Sequence, residues 1–331
     1  MALTPDGAKA LVLAGHKVMV QSQAGKASGY EDSDYSQAGA SIEAEPQHVY
    51  RADLVIKVKE PRENEYEFLK PEGAIFTFLH LPANPRLTDV LLAKKISGVA
   101  YEGVQLDSGR RPILGEMSKI AGDRGVTEGF KYFKKEPKES TVVVLGAAGI
   151  VGQAAVKKAQ ESGANVIGLD IMGKGFEVST PENIARRVKE ADILIGAVAI
   201  PGAGAPKLVS REMVASMKPG SVIVDVAIDE GGCVETSKPT SHDNPTFVEE
   251  SVIHYCVKNI PGAVPEISTL ALTQATLPYI LEIANKGLAQ AVKENPTLAK
   301  GVHTHRGKIT NQKLAKEFSK EYAPLDNLLN Y

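Results

Sequence analysis

Tryptophan is absent from the 331 residues, and aromatic residues make up only 5%. Single-stranded nucleic acid binding relies on such rings as stacking platforms, and no basic stripe stands out at a formal net charge of −2. A nucleic-acid surface is therefore not expected. Cysteine occurs twice, as Cys233 and Cys256, without C-x-x-C spacing. That excludes a disulfide framework and fits a reducing, cytoplasmic setting. No uncharged apolar run reaches the roughly 18–20 residues of a membrane span. Asp6, Lys9 and His16 interrupt the first apolar residues, so no signal-peptide core is expected. What remains is an ordinary globular composition, 43% hydrophobic and 24% charged, at a length that makes about two domains.

The run Val142-Val143-Val144-Leu145-Gly146-Ala147-Ala148-Gly149-Ile150-Val151-Gly152 is the most informative stretch. An apolar strand feeds a glycine-rich turn, the turn opens a helix, and a second strand ends on the acid of Gly168-Leu169-Asp170. Glycines at a turn let a pyrophosphate approach the backbone, and a helix N-terminus offers free N–H groups and positive dipole. An acid about 20 residues on accepts from the ribose hydroxyls and repels a 2′-phosphate, which points to NAD over NADP. The spacing departs from G-x-G-x-x-G: Ala147 stands where the first glycine is usual, and Gly146 lies one position earlier.

Elsewhere strands alternate with helices, the pattern of a parallel sheet with crossovers. Helices are expected at 5–14, 63–69, 85–94, 119–135, 181–190 and 209–217, with one or two over 265–295. Strands are expected at 16–21, 53–58, 74–79, 97–101, 191–196 and 221–226. The charged patch Lys134 to Glu139 reads as a solvated link, and the C-terminal tail as polar. In doubly wound sheets ligands bind beyond the carboxyl ends of strands. Lys57, Lys59, His80, Asp225 and Asp229 follow apolar strands and are the candidates; of the acids, Asp225 reads as structural. His303 and His305 lack further ligands at metal spacing, so no metal site is expected.

With these strand ends in place the chain resembles the alanine dehydrogenase family, which shares its fold with the NAD-binding subunit of pyridine nucleotide transhydrogenase. The runs that carry the resemblance are Ala2-Leu3-Thr4-Pro5, Lys57-Val58-Lys59-Glu60-Pro61, Phe76-Thr77-Phe78-Leu79-His80-Leu81, Met117-Ser118, Gly196-Ala197-Val198, Ala205-Pro206-Lys207, Asp225-Val226-Ala227-Ile228-Asp229, Tyr255-Cys256-Val257 with Asn259, and Pro296 to Gly301. They extend over nearly the whole chain in order.

The resemblance implies two Rossmann-like, doubly wound α/β domains with an interdomain cleft. A discontinuous substrate domain (1–112 with 266–331) would accompany an NAD-binding domain (113–265). It implies oxidative deamination of L-alanine to pyruvate and ammonia, with NAD as hydride acceptor. Lys59 then resembles the lysine that binds the carbonyl end of pyruvate, His80 the general acid/base, and Asp229 the acid beside the nicotinamide. Ser118, Asp170, Ser179, Val198 and Asn259 fall where that family contacts NAD, beside the turn glycines Gly146, Gly149 and Gly152. A homohexamer is implied as well.

Three departures set the chain apart. The family has a strand and a carboxylate-binding arginine before the Ala2-Leu3-Thr4-Pro5 run; here both are expected to be missing, with a loss of about 2–4 kcal/mol in substrate binding. Lys134 to Glu139 replaces a glycine-rich segment, and the stretch from Asp170 to Pro181 is short. Two other readings therefore stand beside the dehydrogenase. One is a transhydrogenase-like or degenerate nucleotide-binding relative; the other is an opine-type reductive condensation of pyruvate with an amino acid.

Overall fold

The computed structural model describes residues 1–198 and 204–329. The chain forms two compact units, Met1–Glu116 with Pro265–Tyr331, and Met117–Val264. In chain order the strands among the described residues are β1 (Met19–Gln21), β2 (Ser41–Glu43), β3 (Leu54–Ile56), β4 (Ala74–Thr77), β5 (Ser97–Ala100), β6 (Thr141–Leu145), β7 (Asn165–Asp170), β8 (Glu177–Val178), β9 (Ile193–Gly196), β10 (Val222–Asp225), β11 (Thr246–Glu249), β12 (Val252–Tyr255), β13 (Val302–His305) and β14 (Lys308–Ile309).

The first unit carries a five-stranded sheet in the order β14-β13-β5-β4-β3. β3, β4 and β5 run parallel, and β13 joins antiparallel. Every residue of β5 is buried, as in sheets covered on both faces. The helix Pro85–Ala93 places Leu87 and Leu91 one turn apart, and both pack with Leu79, Ile75 and Ile96 in one core. Each such leucine contributes on the order of 1.5–3 kcal/mol. β1 and β2 form a separate parallel pair. Residues of β1 and β3, with Lys57–Glu60, line a cavity of about 1910 Å³.

The polar C-terminal segment contributes strands to this sheet. Thr304 is fully buried in β13. Its hydroxyl accepts from the Gly98 N–H (3.0 Å) and donates to the Ile96 carbonyl (3.0 Å). The Ser97 hydroxyl meets His305 Nδ1 at 2.9 Å. Polar residues here pair with the strand they cover, which hydropathy alone does not reveal. The expected helix over 63–69 is a single 3₁₀ turn, Glu63–Glu65.

The second unit is a seven-stranded sheet in the order β11-β12-β10-β9-β6-β7-β8, parallel except for β11. From β6 the chain proceeds outward through β7 and β8, then returns to β9 on the other side. The switch point therefore lies between β6 and β9, the place where doubly wound sheets open a crevice. The helix Pro112–Tyr132 begins seven residues before the expected start, with proline in its first turn, where no N–H is needed. Its Gly122, Gly125 and Gly129 face neighbouring structure closely. A Cβ on Gly122 would stand 2.2 Å from the Val151 carbonyl oxygen. Parallel, doubly wound α/β organisation matches the sequence expectation.

Gly122→Ala is accordingly expected to lower unfolding stability by about 1–3 kcal/mol through overpacking against main chain. Urea unfolding at fixed protein concentration measures it, and a midpoint equal to the native one contradicts the packing described.

Candidate active site

β3 and β4 are neighbours, and the chain leaves both at their carboxyl ends. Lys57 and Lys59 lie two residues apart there, but only one is available. The Lys57 ammonium is held by both oxygens of Glu65 (2.9 Å each) and by the Tyr50 hydroxyl (2.7 Å). Lys59 is half-buried and has no hydrogen-bond or ion-pair partner among the described residues. Beyond β4, Phe78 still bonds back to the Val58 carbonyl (3.2 Å), and Leu79 is fully buried. His80 then takes up a left-handed conformation, φ 45°, which is uncommon for a residue with a side chain. Its ring stacks on Phe78 with centroids 5.8 Å apart, and its Nδ1 lies 3.3 Å from a Glu60 oxygen.

The structure thus brings Lys59 and His80 into one charge cluster, with Glu60 between them in sequence. Burial by itself lowers the His80 pKa. The hydrogen bond to Glu60 and the charge of Glu102 outweigh it, with Lys59 opposing, so the imidazole sits above its ordinary value. Glu60 moves the other way. Burial pushes it up, but the His80 bond, its own backbone N–H and the Lys59 charge bring it below the usual carboxylate range.

In the second unit the turn after β6 has two glycines without alternatives. Gly146 has φ 80°, and a Cβ there would stand 2.6 Å from the Ala197 carbonyl oxygen. A Cβ on Gly152 would stand 2.1 Å from the Gly146 oxygen. Gly149 differs: it caps the helix Ile150–Glu161, and a Cβ would meet only the Gly146 oxygen, at 3.3 Å. Asp170, at the tip of β7, accepts from the Ala148 N–H (3.1 Å) through one oxygen and from the Met172 N–H (3.0 Å) through the other. Each oxygen keeps a second lone pair. Ser179 lies just past β8, its N–H bonded to the Asp170 carbonyl, and it lines a cavity of about 350 Å³ with Lys207 and Ser210.

Asp229 and Asn259 are also brought together, since an Asp229 oxygen accepts from the Asn259 N–H (3.1 Å). Asp225, four residues before Asp229, is buried and accepts from the Cys233 and Val234 N–H groups (3.3 and 3.1 Å), a structural role. Val198 packs against the sheet core after β9. Ser118 lies in the second turn of the Pro112–Tyr132 helix, half-buried. Both cysteines are buried, and burial pushes the Cys256 thiol up to about 12 and the Cys233 thiol well above its ordinary value, so neither offers a nucleophile. No cluster of metal-ligating side chains occurs among the described residues.

Residues 1–121 match the alanine dehydrogenase/PNT N-terminal domain, and residues 134–312 match the corresponding C-terminal domain. The chain belongs to the alanine dehydrogenase/PNT family. An alanine dehydrogenase of Methanococcus maripaludis is 48% identical over 357 residues, covering 100% of this chain and 96% of the relative. Alanine dehydrogenase 2 of Staphylococcus aureus is 43% identical over 99% of this chain and 95% of the relative. A solved L-alanine dehydrogenase superposes with a TM-score of 0.89 at 39% identity, over 96% of this chain and 95% of that one. The family is one of nucleotide-binding oxidoreductases, and the resemblance read from the dispersed sequence runs agrees with it. No helix among the described residues is long and apolar enough to cross a membrane.

Two carboxylates at this site, Glu60 and Glu102, had no role assigned from sequence. Glu60 stands inside the Lys-Val-Lys-Glu-Pro run, and Glu102 follows β5, so the rule that flagged His80 as polar after an apolar strand also applies to Glu102.

The Glu60–His80 attraction sets a pH dependence. A raised histidine pKa stabilises the fold fully below its unfolded value of about 6.5 and loses that contribution as pH rises through the folded value. His80 in the native protein is therefore expected to titrate above 6.5 by NMR, and lower in Glu60→Gln. The stability gap between the two proteins should be wider near pH 6 than near pH 9. Equal His80 titrations would contradict the assigned partner.

Proposed function

We infer that this protein is an NAD-dependent L-alanine dehydrogenase, interconverting L-alanine with pyruvate and ammonia. What carries the reading is the pairing of Lys59 with His80 at neighbouring strand ends, in a chain similar over its whole length to proteins bearing that activity's name. When bound, the dinucleotide supplies the hydride acceptor for the alanine Cα. The glycine turn suits it: Gly146 and Gly152 keep the turn tight, and Gly149 leaves the backbone open at the helix N-terminus. Asp170 accepts from the ribose hydroxyls with its remaining lone pairs and repels a 2′-phosphate, which favours NAD. Ser118, Ser179, Val198 and Asn259 would complete the contacts to the cofactor, and Asp229, which holds the Asn259 N–H, would supply a carboxylate to the same site.

The residues of the first unit do the proton and charge work. Lys59 places its ammonium at the carbonyl oxygen and stabilises the negative charge that develops there. His80 takes and returns protons as water adds and ammonia departs, a task suited to a group titrating near neutrality. Glu60 holds Nδ1, which leaves Nε2 as the nitrogen that meets substrate. The substrate domain comprises the first unit and the nucleotide domain the second. The enzyme acts in the cytoplasm as a homohexamer.

His80→Gln is expected to lower kcat by about 10²–10⁴-fold. Lys59→Met is expected to raise the KM for pyruvate and lower kcat/KM. The assay is NADH oxidation with pyruvate and ammonia. NADH should be preferred over NADPH by about tenfold or more, roughly 1.4 kcal/mol. No turnover by the native protein, or turnover with other amines but not ammonia, overturns the reading.

A further inference from the structure

The end of β4 poses a local problem. Phe78 is the last residue whose N–H finds the neighbouring chain, at the Val58 carbonyl. The next two N–H groups, of Leu79 and His80, have no strand to bond to, and Leu79 is wholly buried. Buried amides left unpaired cost free energy comparable to a lost hydrogen bond. One side chain solves both. The Glu102 carboxylate accepts from the His80 N–H at 2.8 Å and from the Leu79 N–H at 3.2 and 3.3 Å. Glu102 is itself fixed, because Tyr101 beside it is fully buried with edge-on contacts to Phe76 (4.4 Å) and Phe78 (5.2 Å).

His80 follows in the left-handed region, and its carbonyl is held by the Ala83 N–H and the Asn84 amide, both at 3.0 Å. A positive φ on a histidine persists only where surroundings over-determine it. Here the N–H side is held by Glu102 and the carbonyl side by the following turn. This main-chain geometry lays the ring on Phe78 and turns Nδ1 to Glu60.

We propose that Glu102 is a positioning residue for His80, gripping the main chain of Leu79 and His80 in the left-handed turn that directs Nδ1 to Glu60 and frees Nε2 for substrate. The proposal deepens the acid/base assignment of His80 and rests on it for its kinetic consequence. Its geometric content does not depend on that assignment, since the ring's tautomer can be read without turnover. The charged groups acting on His80 are Glu60, Glu102 and Lys59, and His303 adjoins Glu102 from β13.

The test is ¹⁵N NMR of the neutral His80 ring, together with steady-state kinetics, on the full chain. The native ring should be the Nδ1–H tautomer. Glu102→Ala should give a mixture of tautomers and lower kcat by about 10²-fold, the scale of a small misplacement, with the KM for pyruvate little changed. Glu102→Gln keeps an acceptor for the His80 N–H and should restore the tautomer and most of kcat. Glu102→Asp keeps the charge but is one methylene short, so it should resemble the alanine variant. If Glu102→Ala does not fold, the Gln and Asp variants carry the comparison. An aspartate variant indistinguishable from native, or a glutamine variant no better than alanine, overturns the proposal. A native protein without dehydrogenase turnover, whose His80 tautomer still follows this order, overturns the functional reading and leaves the positioning role standing.

Discussion

Backbone amides stranded where parallel strands end are the constraint around which the candidate sites are built. A parallel ladder satisfies its own N–H groups only as far as its neighbours run. Past that point the chain turns, and carboxylates take over. Glu102 accepts from Leu79 and His80, Asp170 from Ala148 and Met172, Asp225 from Cys233 and Val234, and Asp229 from Asn259. These acids lie near the carboxyl ends of strands, which is also where ligands of such sheets bind. The groups that close the fold therefore stand where the proposed ligand contacts fall. A carboxylate oxygen with one N–H bond still has a lone pair to offer.

Charge in the first unit is divided by the same economy. Two lysines follow β3, and geometry gives them different work. Lys57 is neutralised by Glu65 and steadied by Tyr50, which ties the 3₁₀ turn to the strand end. Lys59 has no such partner among the described residues and acts on His80 and Glu60 through its field. A cation left unmatched beside a histidine whose second nitrogen is already engaged suits an anionic substrate. The second unit contributes close backbone packing instead. At Gly122, Gly146 and Gly152 main chain approaches so tightly that no side chain fits.

Much of this was legible in the chain itself. Uninterrupted apolar runs named β6, β9 and β10, because strands buried on both faces carry no polar alternation. The glycine turn and Asp170 were visible from their order along the sequence. Dispersed runs pointed to the family, and full-length similarity bears that out. Polarity alone did not reveal that Thr304, His303 and His305 are buried in β13, where two of them bond to the strand they cover. The turn at Glu63 was overextended, since local propensity does not reveal that Glu65 is committed to Lys57.

By itself the sequence determined the layer architecture, the glycine turn after β6 and the short set of polar residues that follow apolar strands, because each is encoded by neighbours along the chain. Only tertiary structure decided which lysine is free, which nitrogen of His80 is taken, and that Glu102 grips the turn before it. Those outcomes depend on groups 7 to 22 positions apart that the fold brings together, Tyr50 and Glu65 at Lys57, Glu60 and Glu102 at His80. Hydrogen bonds and charge act over a few ångströms of space, and no local pattern records which distant groups will share it.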